Sequence, residues 1–186
     1  MRGVAAATGL SKLQLDFQKD VAAHGMRPKL FWYLTGLRQL QELQVCAVQP
    51  TNFIDEESDA GDIMQLTALT GLTQLDVVSW HVGDVAAVAL ACHLTNLHIL
   101  KLCNCCMGSR AVLPAIGRLQ HLQHLDLQDN TFGCDKCLQL LTQLRALTCL
   151  ELKSRDGDKP TQQQLDAFWA AVRGQQQGQQ QGQPPQ

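Results

Sequence analysis

One frame of aliphatic residues recurs along this chain and narrows its possible folds more than any other feature. Residues 113 to 130, LPAIGRLQHLQHLDLQDN, end with Leu119, Leu122, Leu125, Leu127 and Asn130. The pair Leu125 and Leu127 has the two-residue period of a strand with one buried face. The same spacing returns as Leu144, Leu147, Leu150, Leu152 and as Leu94, Leu97, Leu100, Leu102. Upstream it reads Leu69, Leu72, Leu75, Val77 and Leu37, Leu40, Leu43, Val45, with a reduced copy at Leu10, Leu13, Leu15. From Leu13 the first strand leucines fall at Leu43, Leu75, Leu100, Leu125 and Leu150, in steps of 30, 32, 25, 25 and 25 residues. A single short strand cannot close a core, but copies stacked side by side can.

This pattern resembles the leucine-rich-repeat family over residues 10 to 155, and the 25-residue unit containing LPAIGRL is similar to its plant-like type. The resemblance implies an α/β solenoid: an arc or horseshoe of about six rungs, with a parallel sheet on the concave side and helical or irregular segments on the convex side. Asn130 matches the family asparagine, and Cys105 stands at its equivalent one rung earlier. Gln18, Val48, Trp80 and Arg155 depart from it, so a less regular side-chain ladder is expected there.

The repeats divide the chain into a solenoid over residues 1–155, a capping helix over 156–173 and a disordered Gln-rich tail over 174–186. The tail sequence, GQQQGQQQGQPPQ, has nothing to bury. Before it, Thr161 and Gln164 have capping-box spacing, and Leu165, Phe168, Trp169 and Val172 share one helical face. That face is expected to cover the rung around Leu150 and Leu152. MRGVAAATG is a poor cap for the first rung and too weakly apolar for a secretory signal.

Between strands the chain is expected to return along the outer side. Pro28 is placed to open a short helix, with Trp32 packing on its rung. Asp55, Glu56, Glu57, Asp59 and Asp62 read as a solvated helix start, since the run lacks calcium-loop spacing. Val85, Val88, Ala89 and Cys92 have the i, i+3, i+4, i+7 spacing of a buried helical face, with Gly83 and Asp84 as turn and N-cap. Pro114 and Gly117 make the following crossover less helical.

Chemistry-bearing motifs are sparse. Cys134 and Cys137 form a C-x₂-C pair, which raises a zinc or redox reading, with Cys105 and Cys106 as the nearest further ligands. The two cysteines also share helical spacing with Leu138 and Leu141, so packing accounts for both. His121 and His124 lie three apart, but His121 precedes the strand while His124 faces outward from it, so a metal pair is not expected. There is no phosphate-binding glycine loop, G-x-S-x-G elbow or H-E-x-x-H motif. The sequence therefore assigns no enzyme activity, catalytic residue, cofactor or metal.

Alternation along each strand places a second set of side chains on the inner curved face. The candidate docking residues there are Asp76, Val78, Ile99, Lys101, Cys103, His124, Asp126, Gln128 and Glu151. An apolar spot (Val78, Ile99, Cys103) with charged neighbours suits a protein or peptide partner. The formal net charge of -2 gives no basic field for nucleic acid, and no apolar run reaches the length of a membrane span. The reading is a non-enzymatic protein-interaction module. Its alternatives are a structural part of a larger assembly such as a ciliary axoneme, or a fragment of a multidomain adaptor or receptor. The eight cysteines lie mostly inside the rungs rather than in end caps, which points to reduced thiols and the cytoplasm, or to the cilium axoneme on the structural alternative.

Overall fold

The computed structural model describes residues 9–17, 30–47, 61–132 and 134–180. Six strands form one sheet: β1 (Lys12–Phe17), β2 (Glu42–Ala47), β3 (Gln74–Val78), β4 (Ile99–Cys103), β5 (His124–Asp126) and β6 (Cys149–Glu151). They lie in chain order, each parallel to the next. The sheet is open and its strands alternate with helical segments, the architecture of a leucine-rich-repeat arc.

The register follows the leucine frame without a slip. Leu13, Leu43, Leu75, Leu100, Leu125 and Leu150 are partners across the whole sheet. From Leu43 to Leu125 they are at most 1% exposed. A one-residue slip would carry each of these side chains to the solvent face, losing about 1.5–3 kcal/mol of burial per leucine. At the sheet's two edges Leu13, Leu15, Leu150 and Leu152 are only partly buried, because the outermost rungs have a neighbour on one side.

The two upstream leucines of each frame have a local cause. The amide of Leu40 donates to the Leu37 carbonyl at 2.9 Å, and the same three-residue turn recurs at Leu72, Leu97, Leu122 and Leu147. This turn faces both leucines inward before the strand begins, and all five pairs are at most 2% exposed. After the strand comes a second corner. Ser79, Asn104 and Asp129, spaced by one 25-residue step, have φ of 55°, 52° and 57°. The left-handed corner tolerates Asn and Asp better than other non-glycine residues. It was not anticipated from the sequence.

On the convex side lie a 3₁₀ turn (Phe31–Leu34), another (Met64–Ala68), and helices α1 (Gly83–His93), α2 (Val112–Ile116) and α3 (Cys134–Leu141). Three features differ from the sequence expectation. Helix α1 buries Ala86, Ala87, Leu90 and Ala91, while Val85 is 72% exposed and Cys92 faces solvent. Its sequence is apolar nearly all round, so spacing alone did not identify the face, and the alanines allow the closer approach. Trp32 is 59% exposed; Phe31, beside it, takes the interior place. Asp84 does not cap its own helix. Its Oδ1 accepts from the Gly108 and Ser109 amides of the next rung, both at 2.9 Å. Asp62 does the reverse, accepting from Phe31 and Trp32 of the preceding rung at 3.1 and 3.2 Å. Pro114 sits in the first turn of α2, where its missing N–H leaves no bond unmade. Pro28 and residues 55–59 lie outside the described residues.

The ladder irregularity expected at Trp80 takes a specific form. Trp80 is buried and meets the rings of Phe17 and Phe31 edge-on, with centroids 5.4 and 5.5 Å apart. An aromatic cluster thus fills the corner of the early rungs, where later rungs use Cys105 and Asn130.

Helix α4 (Gln162–Gln180) follows the last rung. Its capping box forms: the Thr161 amide donates to Gln164 Oε1 at 2.8 Å, and the Gln164 amide donates to Thr161 Oγ1 at 3.3 Å. Phe168 and Val172 are 3% and 1% exposed, with Leu165 and Trp169 packed more loosely beside them. A cavity of about 220 Å³ separates part of α4 from α3, lined by Leu138, Thr142, Gln164, Ala167, Phe168 and Ala171. The helical backbone continues past residue 174, where the sequence reading starts a disordered tail, as far as Gln180; residues 181–186 lie outside the described residues.

Candidate functional site

Residues between and beside the buried strand pairs form three rows on the concave sheet face. Gln14, Gln44, Asp76, Lys101, Asp126 and Glu151 are register partners in the middle row. Lys12, Glu42, Gln74, Ile99, His124 and Cys149 are partners in one flanking row. In the other, Asp16, Cys46, Val78 and Cys103 are paired, and Gln128 follows just beyond β5. At about 4.8 Å per strand, Asp76, Lys101 and Asp126 span roughly 10 Å. Every candidate residue therefore shares one face. The middle row is less open than a solvated sheet: Asp76 and Asp126 are each 8% exposed.

Asp126 has clear internal work. Its Oδ1 accepts from the Gln128 amide at 3.0 Å, holding the chain as it leaves β5. Burial pushes the Cys103 thiol up, with a hydrogen bond to Asp126 and that carboxylate's charge adding to the effect. Asp76 differs. Its Oδ1 is buried and has no hydrogen-bond partner among the described residues. Burial pushes the Asp76 carboxyl up; the Lys101 charge opposes this, the Asp126 charge adds to it, and His124 opposes it. Val78, Ile99 and Cys103 are half-buried beside these groups, as expected for an apolar spot.

At the β5–β6 end the rows converge. His124 Nε2 lies 3.8 Å from Cys149 Sγ and 3.5 Å from Glu151 Oε1, and the Gln128 side-chain amide donates to the other Glu151 oxygen. Cys149 is absent from the candidate set read from sequence. Its register opposite His124 was readable once the 25-residue steps were aligned. The two histidines of the sequence pair separate: His121 stacks against His98 with centroids 6.0 Å apart, on another side of the rung. At the far edge Lys12 and Glu42 form an exposed ion pair, of a kind worth about 0–1 kcal/mol.

The C-x₂-C pair lies elsewhere, on α3. Cys137 is 2% exposed and packs with Leu138 and Leu141, while the Cys134 side chain lies outside the described residues. Cys105, its suggested companion, is fully buried and donates its thiol to the Val77 and Cys103 carbonyls, both at 3.3 Å. Burial pushes that thiol up as well. Cys106 turns out to solvent with φ of 59°. Cys105 is thus committed to the rung corner rather than available as a ligand. Among the described helices none is long and apolar enough to cross a membrane.

No family model matches the chain, and no curated protein matches it. Among solved structures, an internalin from Listeria monocytogenes is similar, with a TM-score of 0.55 and 22% sequence identity. The match covers 82% of this chain and 37% of the internalin chain. At that identity the likeness speaks for the fold: a parallel β/α solenoid of the leucine-rich-repeat type.

Proposed function

We propose that this chain is a non-enzymatic protein-interaction module whose partner, a protein or peptide, docks across β3, β4 and β5 on the concave face. The observation that carries this reading is the half-buried apolar spot of Val78, Ile99 and Cys103 beside Lys101 on that face. A partner seated there would take the Val78, Ile99 and Cys103 spot out of water while its polar groups met Lys101. The internalin likeness supports the reading at the level of the solenoid fold alone. The three 25-residue steps from Leu75 to Leu150 support a plant-like type of rung in the C-terminal half.

The test compares matched changes on opposite sides. Ile99→Lys with Lys101→Gln alters the inner face while keeping net charge. Val85→Lys with Arg118→Gln makes equivalent changes on the exposed outer crossovers. Asp126 and Asp84 are left alone, because the first holds one backbone amide and the second two. Partners recovered with the unaltered chain should be lost with the inner pair, by about 2 kcal/mol or more of binding, and kept with the outer pair. Loss with the outer pair alone places the interface on the convex side.

A further inference from the structure

We infer that His124, Cys149 and Glu151 form a binding site for a thiophilic divalent cation, of which zinc is the best fit, on the β5–β6 end of the concave face. The sequence assigned no metal there, and the C-x₂-C pair that suggested one lies on the convex side. The folded chain brings three different ligand types together instead: an imidazole nitrogen, a thiol sulfur and a carboxylate oxygen, all within 4.8 Å of one another. With Zn–S near 2.3 Å and Zn–N and Zn–O near 2.0–2.2 Å, tetrahedral angles put neighbouring ligand atoms about 3.3–3.6 Å apart. The separations from His124 Nε2, 3.8 Å to Cys149 Sγ and 3.5 Å to Glu151 Oε1, are close to these values, and the sulfur and carboxylate lie within 4.8 Å of each other.

The backbone explains why these atoms meet. His124 and Cys149 are direct partners across β5 and β6, and Glu151 stands two residues along β6, so all three project from the same face. Glu151 is also held from behind, because the Gln128 amide occupies its Oε2 and leaves Oε1 toward the histidine. Carboxylate ligands in metal sites are commonly oriented by such hydrogen bonds. All three residues are half-buried, so an ion can enter without opening the fold. On binding, the cation takes the Cys149 sulfur as thiolate and the thiol proton passes to solvent. Three protein ligands leave a fourth tetrahedral position for water or another small donor. Mixed sulfur, nitrogen and oxygen donors suit zinc and exclude magnesium or calcium, which take oxygen ligands.

The measurement is Co²⁺ titration of the reduced, metal-free full chain, followed by absorbance and then by displacement with Zn²⁺. The site predicts one tetrahedral Co²⁺ per chain with a thiolate-to-metal charge-transfer band, abolished on adding Zn²⁺. Cys149→Ser should remove the band, and Cys149→His should keep the cation but without it. His124→Ala and Glu151→Gln should weaken binding at least roughly tenfold, and Gln128→Leu to a similar or smaller extent. Cys134→Ala with Cys137→Ala should leave the titration unchanged. Circular dichroism on each variant reports whether the chain remains folded, and the isosteric Cys149→Ser serves as the reference if a larger change unfolds it. Absence of a cobalt spectrum in the unaltered chain, a band that survives Cys149→Ser, or one lost with the Cys134 and Cys137 pair would overturn the assignment. No partner is needed, so this result stands apart from the fate of the docking proposal.

Discussion

Asn130 and Cys105 lie one 25-residue step apart, and the carboxamide of the first holds the backbone of the second: the Cys105 amide donates to Asn130 Oδ1 at 3.0 Å. The same oxygen accepts from the Met107 amide at 3.2 Å, while Asn130 Nδ2 donates to the Leu102 and Leu127 carbonyls at 2.7 and 3.0 Å. Cys105 repeats the task one rung earlier with its thiol, bonding the Val77 carbonyl at 3.3 Å. Two chemically different side chains thus continue one ladder by satisfying backbone groups that the rung corner buries.

From this follows the first prediction. Asn130→Ala leaves two amides and two or more carbonyls without their partner in a site 1% exposed. Urea unfolding should show a loss of about 2–4 kcal/mol, against about 1 kcal/mol for an ordinary hydrogen-bond deletion. A loss below about 1 kcal/mol would mean that the corner closes without the carboxamide.

Asp76 gives a pH-dependent prediction. Its folded-state carboxyl titrates above the ordinary range because burial disfavours the anion. The folded chain therefore keeps this proton longer than the unfolded chain does. The resulting stability is present below the ordinary carboxylate range and is lost as pH rises through the raised value. Asp76→Asn removes that titration, so its urea midpoint should exceed that of the unaltered chain at pH 7. The two should converge near pH 3, where the ordinary carboxylate is also largely protonated. An equal or lower midpoint at pH 7 would show that the anion is stabilised in place.

At the other end, Phe168 and Val172 seat α4 against the solenoid. Phe168→Ala should cost about 3–5 kcal/mol, and deleting residues 161–186 should cost more or cause aggregation through the last rung. Deleting only 181–186 should change stability by less than about 0.5 kcal/mol. Identical melting curves for the two deletions would reject α4 as a cap.

The sheet was legible in the sequence because its signal is repeated: Leu13, Leu43, Leu75, Leu100, Leu125 and Leu150 specify strand, register and facing together. The concave rows followed from alternation alone. What stayed hidden depended on contacts between rungs. The buried face of α1 was not readable, because Val85 and Ala86 are both apolar and only packing distinguishes them. The partners of Asp84 and Asp62 lie on neighbouring rungs, beyond the reach of local capping rules. Trp80 was legible as a break in the asparagine ladder, but not as the ring that Phe17 and Phe31 enclose. The burial of Asp76 and Asp126 was also missed, since alternation gives direction and not accessibility.

Differential amine labelling tests the central claim, docking on the concave face, most directly. Lys101 lies on that face between Asp76 and Asp126, whereas Lys159 is exposed in the segment leading to α4. Acetylation of each lysine would be followed by mass spectrometry for the chain alone and for its complex with a partner recovered by the unaltered protein. The account predicts a several-fold slower reaction at Lys101 in the complex and an unchanged rate at Lys159. An unchanged Lys101 rate, with protection confined to the outer crossovers, would contradict it.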